Sequence, residues 1–381
     1  MKFLIKYGLL PVLFLMSFAM GSDAFRFAYG IDLSMLIVFA FVFYYLFMYK
    51  KRIRGGLLYA WWMYLMVVPT IVMTILEGGS IQQMLTSTCV LMLPFALEPF
   101  VPGDDKQTIR GFYLTFIVST IVLLLYSNFG FLGNWNTNCI AYLNYLGIAG
   151  AAVILAENRK NVVVWILLGY VFIQLMVTQS RNVMSALIIV VLLVLFKKTF
   201  SKKIPFILMS AFGLIYFVVF PVIVSRVSKE TYLYTIMRSI TENSFDKFSV
   251  FSGRDAIYPM AEQILDSSLL NKFFGFGNPM TEILAVHNDY YMIKYAYGII
   301  GVVIIFAMLI TFFKKAYVLV QKGDNITFGC VAVVIGILFQ QASEGWFLAT
   351  PLVVLMAYVY MAIVIKRYRI SEGKRLKNEA L

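Results

Sequence analysis

Residues 206–224, FILMSAFGLIYFVVFPVIV, contain no charged side chain and lead directly into a long polar segment that begins at Ser225. Apolar runs of about 17–23 residues have the length needed to span a bilayer core of roughly 30 Å. About twelve such segments can be drawn along the chain. They extend over residues 4–20, 31–49, 57–76, 84–101, 112–126, 139–156, 162–178, 183–197, 206–224, 290–313, 326–343 and 346–365. The sequence therefore predicts an all-α polytopic membrane protein with about twelve transmembrane helices.

The composition supports a membrane protein and argues against a nucleic-acid partner. Apolar residues make up 61% of the chain and charged residues 13%, and the mean hydropathy is +0.84. Soluble proteins average about 45–50% apolar and 25% charged residues. The net charge of +13 comes mainly from lysines and arginines clustered between apolar runs, which indicates orientation in a membrane. We expect a single integral membrane domain over residues 1–381.

The basic clusters predict the orientation of the chain. They alternate along the sequence at residues 50–54, 106–110, 159–160, 197–203, 314–315 and from 366 onward. The short connections on the other side carry only Arg26 and Arg181. Because basic loops stay on the cytoplasmic side, both termini are predicted to be cytoplasmic. Residues 366–381 then form a basic, solvated cytoplasmic tail that lies close to the membrane.

One connection, residues 225–289, is far longer than any other and faces outward in this orientation. Loops of this length are usually functional and contain short elements of their own. Residues 255–265 repeat apolar side chains with helical spacing, which predicts a short helix. Gly275-Phe-Gly-Asn-Pro279 predicts a turn. Asn288 or Asp289 is expected to cap the membrane helix that follows.

Two arginines on the predicted outer side are candidate anion-binding residues. Arg181 lies in a very short turn between two membrane helices, where it either contributes to a site or extends to lipid headgroups. Arg254 follows Ser252-Gly253 at the start of the predicted loop helix. Free backbone N–H groups and a planar guanidinium suit phosphate or pyrophosphate. The alternative for Arg254 is a surface ion pair with Asp255 or Asp266.

His287 is the single histidine of the chain, and it precedes the helix that begins segment 290–313. On a helix that runs from it, Tyr291 and Lys294 share its face. A neutral imidazole there could accept a proton from a sugar hydroxyl, whereas the alternative is a hydrogen-bonding histidine at the membrane surface. The three cysteines lie in apolar runs without metal-ligand spacing, so neither a metal nor a cofactor is expected.

Five short motifs follow one another in the chain: Thr178-Gln-Ser-Arg181, Ser252-Gly-Arg254, Gly275-Phe-Gly277, His287-Asn288 and Tyr297-Gly-Ile-Ile-Gly301. This order resembles the O-antigen polymerase and O-antigen ligase superfamily of bacterial envelopes. The resemblance covers residues 160–315 and the overall topology. One departure is Tyr258, because the family often has a tryptophan shortly after the loop arginine.

The resemblance implies a metal-independent, inverting glycosyltransferase in the bacterial cytoplasmic (inner) membrane that works at its outer face. The donor would be an oligosaccharide linked to undecaprenyl pyrophosphate. Arg181 and Arg254 would bind the pyrophosphate, and His287 would activate the acceptor hydroxyl. Supporting residues would be Tyr258, Asn288, Tyr291 and Lys294. Membrane lipid and a chain-length regulator protein are the further partners that the resemblance suggests.

Three functions remain open at the level of sequence, and polymerase is the one we favour. A ligase would transfer finished glycan to a lipid or protein acceptor, but the outer loop leaves modest room for a separate acceptor domain. A carrier or flippase made of two six-helix halves often has a long cytoplasmic connection between them. Here segments six and seven are joined only by Glu157-Asn-Arg-Lys-Asn161.

Overall fold

The computed structural model describes residues 9–20, 31–48, 69–76, 81–129, 137–178, 180–226, 254–277, 288–342 and 355–379. Every regular element in these ranges is a helix, and none of the described residues is in a strand. An α-helix satisfies its own backbone N–H and C=O groups, which is what a chain surrounded by hydrocarbon requires. The predicted all-α class is therefore confirmed for the described part of the chain.

The helices are labelled here in chain order. They are α1 (Leu9–Met20), α2 (Ile31–Phe43, continued by a π-helical turn over Tyr44–Met48), α3 (69–76), α4 (Ile81–Val90), α5 (Leu93–Ala96), α6 (Asp105–Phe129), α7 (Thr137–Ile148), α8 (Gly150–Glu157), α9 (Val162–Val177), α10 (Arg181–Leu195), α11 (Lys197–Phe200), α12 (Lys203–Arg226), α13 (Arg254–Leu265), α14 (Leu269–Phe274), α15 (Asp289–Gln321), α16 (Asn325–Gln341) and α17 (Leu355–Glu379).

Four of the described helical segments are long and apolar enough to cross a membrane. They are Asp105–Asn128, Ile140–Glu157, Lys203–Arg226 and Asp289–Gln321. Shorter apolar helices occupy Leu36–Met48, Val162–Met176, Arg181–Leu195 and Asn325–Gln341. These helices support a membrane protein, whereas the number of twelve spans and the orientation remain predictions. Of the long loop 225–289, only residues 225–226, 254–277 and 288–289 belong to the described part.

Helix α16 is the centre of the bundle. Nearly all of its side chains are buried, and it packs against α8, α10, α12, α15 and α17. Two glycines allow the closest contacts: a Cβ at Gly329 would lie 2.6 Å from the Cα of Val153, and one at Gly336 would lie 2.5 Å from a methyl carbon of Val190. Small residues at helix contacts are the usual means of close packing between membrane helices.

The predicted apolar segment 84–101 is not one continuous helix. Helix α4 ends at Val90, α5 covers only Leu93–Ala96, and turns follow as far as Phe100. Pro94 explains the break because a proline lacks the N–H that would bond to the carbonyl of Val90, and its ring collides with that carbonyl. Pro99 then prevents the short helix from continuing.

The end of the bundle that carries the basic clusters, called the basic end below, is tied together by α17. Arg367 on this helix donates from Nε to Asp324 Oδ2 at 2.7 Å and from Nη1 to Asp105 Oδ1 at 2.6 Å. Arg369 pairs with Glu98, whose side chain is fully buried. Residues 366–379 of the predicted tail continue α17 as far as Glu379. Acidic partners on α6, at the N-cap of α16 and in the turn after α5 pair with its first two arginines.

We expect Arg367→Ala to lower the free energy of unfolding by about 3 kcal/mol, because removing one partner of a mostly buried pair leaves the other charge uncompensated. Arg367→Lys should be intermediate, since a lysine cannot reach two carboxylates with a planar fork. The measurement is thermal unfolding of the detergent-solubilised protein, with the exposed Lys202→Ala as control. Equal melting temperatures for Arg367→Ala and Lys202→Ala would contradict this role.

Candidate functional site

The structure describes some of the predicted site residues and not others. His287, Ser252 and Gly253 lie outside the described residues, and only the backbone of Arg254 is described, as the first residue of α13. Arg181 is exposed and is the first residue of α10. The supporting candidates, Tyr258, Asn288, Tyr291 and Lys294, all lie in described helices or their caps.

The two glycine motifs of the sequence contact each other at a break in α15. At Gly298 the backbone leaves the helical conformation, with φ 64° and ψ −164°. The N–H of Phe276 donates to the carbonyl of Tyr295 at 2.7 Å, and that of Gly277 donates to the carbonyl of Ala296 at 3.1 Å. In a continuous helix these carbonyls would accept from the two residues after Gly298. The loop thus supplies the hydrogen bonds that the broken helix lacks.

Glycine is required on both sides of this contact. A Cβ at Gly298 would lie 2.2 Å from the carbonyl oxygen of Phe273, and one at Gly275 would lie 2.5 Å from that of Tyr295. Both residues also have backbone angles that are essentially restricted to glycine, since Gly275 has φ 72° and ψ −167°. The ring of Phe276 stacks on Tyr295 at 4.6 Å between ring centroids. Residues 275–277 therefore dock α14 against α15, whereas Asn278 and Pro279 of the predicted turn lie outside the described residues.

A buried tyrosine pair joins α13 to α15. The Tyr291 hydroxyl donates to Glu262 Oε1 at 2.6 Å, and the rings of Tyr258 and Tyr291 are 4.9 Å apart. Both tyrosines are fully buried, and Val224 of α12 packs against them. The predicted helix 255–265 is confirmed, and its buried face carries Tyr258 where the resembled family often has tryptophan.

A second polar cluster surrounds the start of α15. It lies at the end of the bundle opposite to the basic end. The predicted cap is confirmed: Asn288 Oδ1 accepts from the N–H of Tyr291 at 2.9 Å, and its Nδ2 donates to the carbonyl of Ala342. Asp289 is fully buried and interacts electrostatically with Tyr142. The Tyr142 hydroxyl in turn accepts from Gln341 Nε2 at 2.9 Å. Removing a carboxylate from water is costly, so a fully buried Asp289 indicates a role in structure or in chemistry.

Arg181 lies at the same end of the bundle as this cluster. Lys197 Nζ contacts Asn325 Oδ1 at 3.0 Å, and the backbone of Ala186 lies 3.3 Å from where a Cβ on Gly336 would be. Helices α10 and α16 are therefore antiparallel. Arg181 lies five residues before Ala186, and Gln341 lies five residues after Gly336, which is about 7.5 Å along each helix. Because the two helices are antiparallel, Arg181 and Gln341 are at the same level of the bundle.

Lys294 faces the turn between α13 and α14. Lys272 Nζ lies 2.9 Å from Asp266 Oδ1, and this hydrogen bond lowers the pKa of the Asp266 carboxyl, with a further contribution from the charge of Lys294. Asp266 is one of the two ion-pair partners predicted as an alternative for Arg254, and in the structure it pairs with Lys272.

The sequence did not single out Glu262, Tyr142 or Gln341. Glu262 was one of several acidic residues in the long loop, and no paired-carboxylate spacing distinguished it. Its position four residues after Tyr258, on a helix with a buried face, is a signal that could have been used. Tyr142 and Gln341 lie in different apolar segments, and only the contact between α7 and α16 relates them.

We expect Gly298→Ala to destabilise the protein strongly. The backbone angles alone cost about 1–3 kcal/mol for a residue with a Cβ, and the overlap with Phe273 adds to this. The matched control is Gly169→Ala on α9, where an added Cβ meets nothing within 4 Å. The yield of monodisperse protein in detergent and its melting temperature are the measurements. A Gly298→Ala protein as stable as Gly169→Ala would show that the break in α15 is not built as described.

The Tyr291–Glu262 hydrogen bond should appear as a coupling energy of about 1–2 kcal/mol in a double-mutant cycle of Tyr291→Phe and Glu262→Ala. Phenylalanine preserves the contact with the Tyr258 ring and removes only the hydroxyl. The unfolding free energies of the four proteins give the coupling. Tyr295→Phe combined with Glu262→Ala is the control and should be additive, because the Tyr295 ring stacks on Phe276.

Comparisons with known proteins add no relative to this description. No protein-family model, curated protein or solved structure matches the chain.

Proposed function

We propose that this protein is a polymerase of bacterial surface polysaccharide such as O-antigen, capsule or exopolysaccharide. It transfers glycan from undecaprenyl pyrophosphate to a lipid-linked repeat unit, at the outer face of the cytoplasmic membrane. The observation that carries the proposal is the contact between Gly275-Phe-Gly277 and the break at Gly298. Two motifs on which the resemblance depends are thereby one structural unit.

Broken helices in membrane proteins commonly mark binding sites, because they bring backbone and polar groups to depths where a continuous helix presents only side chains. The break in α15 lies less than three turns from Asn288 and Asp289, which are both buried. Tyr291 belongs to the same stretch of α15, and Tyr258 and Glu262 of α13 contact it. This concentration of polar groups at one end of an apolar bundle supports a site for a polar substrate.

The chemistry requires cations for the leaving group and a base for the acceptor. The acceptor hydroxyl oxygen attacks the anomeric carbon of the donor glycan while the bond from that carbon to the pyrophosphate oxygen breaks. The bonding electrons leave with the pyrophosphate, and the hydroxyl proton passes to His287. Arg181 and Arg254 stabilise the negative charge through paired N–H donors without a metal. Attack from the side opposite to the leaving group inverts the anomeric carbon.

Helix α15 has a specific part in this proposal. His287 directly precedes Asn288, which is fixed by hydrogen bonds to Tyr291 and Ala342. A base must be held within hydrogen-bond reach of the proton that it accepts. The two hydrogen bonds of the Asn288 side chain therefore restrain the residue next to the proposed base.

The size distribution of surface glycan after deletion of the gene in its own host tests the function. Glycan reduced to single repeat units supports a polymerase. Full-length glycan stranded on the lipid carrier would instead identify a ligase. Repeat units trapped on the cytoplasmic side would identify a flippase and remove the catalytic role of His287.

Complementation of the deletion tests the residues. His287→Ala should lower polymerisation by about 100-fold or more, since general base catalysis typically contributes that much. Arg254→Lys should lower it by about 10-fold, because lysine keeps the charge but loses paired donation. Lys272→Ala, a change of a half-exposed cation on α14, is the control and should polymerise normally. Full activity of His287→Ala at normal expression would refute the assignment of the base.

A further inference from the structure

A cavity at the basic end lies outside the candidate site described above. It has a volume of about 550 Å³ and opens between the start of α6 and the end of α8. Its lining residues are Asp105, Lys106, Ile109, Arg110, Tyr113, Leu114 and Glu157. The volume is within the range of small-ligand sites.

The charges of this groove are of both signs and are separated. Lys106 and Arg110 lie one turn apart on α6, so they present two cations on one wall. Glu157 is the last residue of α8, where the negative end of the helix dipole adds to the carboxylate. Asp105 is already paired with Arg367 at 2.6 Å. The groove therefore suits a ligand that carries an anionic group and a cationic group close together.

Two aromatic residues place the groove at the level of a membrane surface. The Tyr113 hydroxyl accepts from Asn161 Nδ2, and Trp165 Nε1 donates to the carbonyl of Arg159 at 2.9 Å. Tyrosine and tryptophan are enriched where hydrocarbon meets headgroups, because their rings are apolar and their polar atoms require partners.

Below the groove, an exposed apolar surface continues along the same helices. Leu114 leads to Ile117, Ile121 and Leu125 at spacings of three and four residues on α6, and these three are 43%, 51% and 36% exposed. Helix α9 runs parallel beside it, since Tyr113 contacts Asn161 near one end and Ser127 contacts Gln174 near the other. On α9, Ile166 and Ile173 are also exposed.

We propose that this groove binds a membrane phospholipid with an amine-bearing headgroup. The phosphate lies between Lys106 and Arg110, the ammonium donates to Glu157, and an acyl chain follows the apolar stripe of α6. The charged groove is continuous with this stripe, so the headgroup and an acyl chain of one lipid fit both, whereas a soluble zwitterion fits only the groove. The pairing of both signs selects an amine-bearing phospholipid over an anionic one.

The experiment is native mass spectrometry of the full chain after reconstitution into vesicles of equal parts phosphatidylethanolamine, phosphatidylcholine and phosphatidylglycerol. Phosphatidylcholine is the informative competitor, because its quaternary ammonium has no N–H to donate to Glu157. The wild type should retain phosphatidylethanolamine about 3- to 10-fold over phosphatidylcholine, as expected for a charge-assisted hydrogen bond.

The variants separate the two halves of the headgroup. Lys106→Ala should lower total phospholipid retention, and Glu157→Gln should remove the preference for the amine while it leaves phosphate-dependent retention. Lys198→Ala, an exposed lysine at the same end of the bundle, should retain lipid like the wild type. Melting temperatures identify any variant that has lost its fold. If a variant has lost its fold, the retention of phosphatidylethanolamine over phosphatidylcholine by the wild type is the test of the proposal.

Three results would overturn the proposal. Equal retention of the three lipids by the wild type would mean that no headgroup site exists, and preference for phosphatidylglycerol would mean that the site takes an anionic lipid. Displacement of the bound lipid by equimolar glycerophosphoethanolamine, which lacks acyl chains, would mean that the stripe on α6 does not contribute. Each readout is independent of the polymerase activity.

Discussion

The structure depends on one constraint: each backbone N–H and C=O group that is removed from water must find a partner within the protein. Helices meet this constraint locally, which accounts for the helical character of the described chain. The break at Gly298 is the instructive exception. Its unsatisfied carbonyls accept from Phe276 and Gly277, so a loop segment distant in the sequence replaces the missing turn. The break in α15 and the docking of α14 therefore depend on the same hydrogen bonds.

The same constraint explains how polar side chains are distributed. Helix α16 is buried all round and leaves no room for charge along its middle, where Gly329 and Gly336 permit close contact. The paired charges that join the described helices are instead found near the ends of the bundle. At the basic end, α17 contributes cations to buried or partly buried carboxylates. At the opposite end, Asn288 caps α15 beside the buried Asp289, and Tyr142 and Gln341 are joined by a hydrogen bond.

This division gives the two ends different capacities. A network of mutually paired charges fixes helix positions, and the groove beside it, which carries both signs of charge, is the proposed site for a lipid headgroup. The opposite end combines a helix break, a capped helix start and a tyrosine pair held by Glu262. Such an arrangement is suited to a substrate with several hydroxyls and a charged leaving group, because its donors and acceptors are held in place before the substrate arrives.

Local signals in the sequence predicted the helical class, the helix over 255–265 and the cap at Asn288, because each depends on residues close together in the chain. Local signals did not predict the ion pairs that join Arg367 and Arg369 on α17 to Glu98, Asp105 and Asp324, because these residues are distant in the sequence. The pairing of Glu262 with Tyr291 likewise follows from packing of α13 against α15. The sequence by itself determined which segments are apolar and where helices can start or turn. Only the tertiary structure decided which polar groups share a cluster, because burial leaves each of them to be satisfied by whatever the neighbouring helices present.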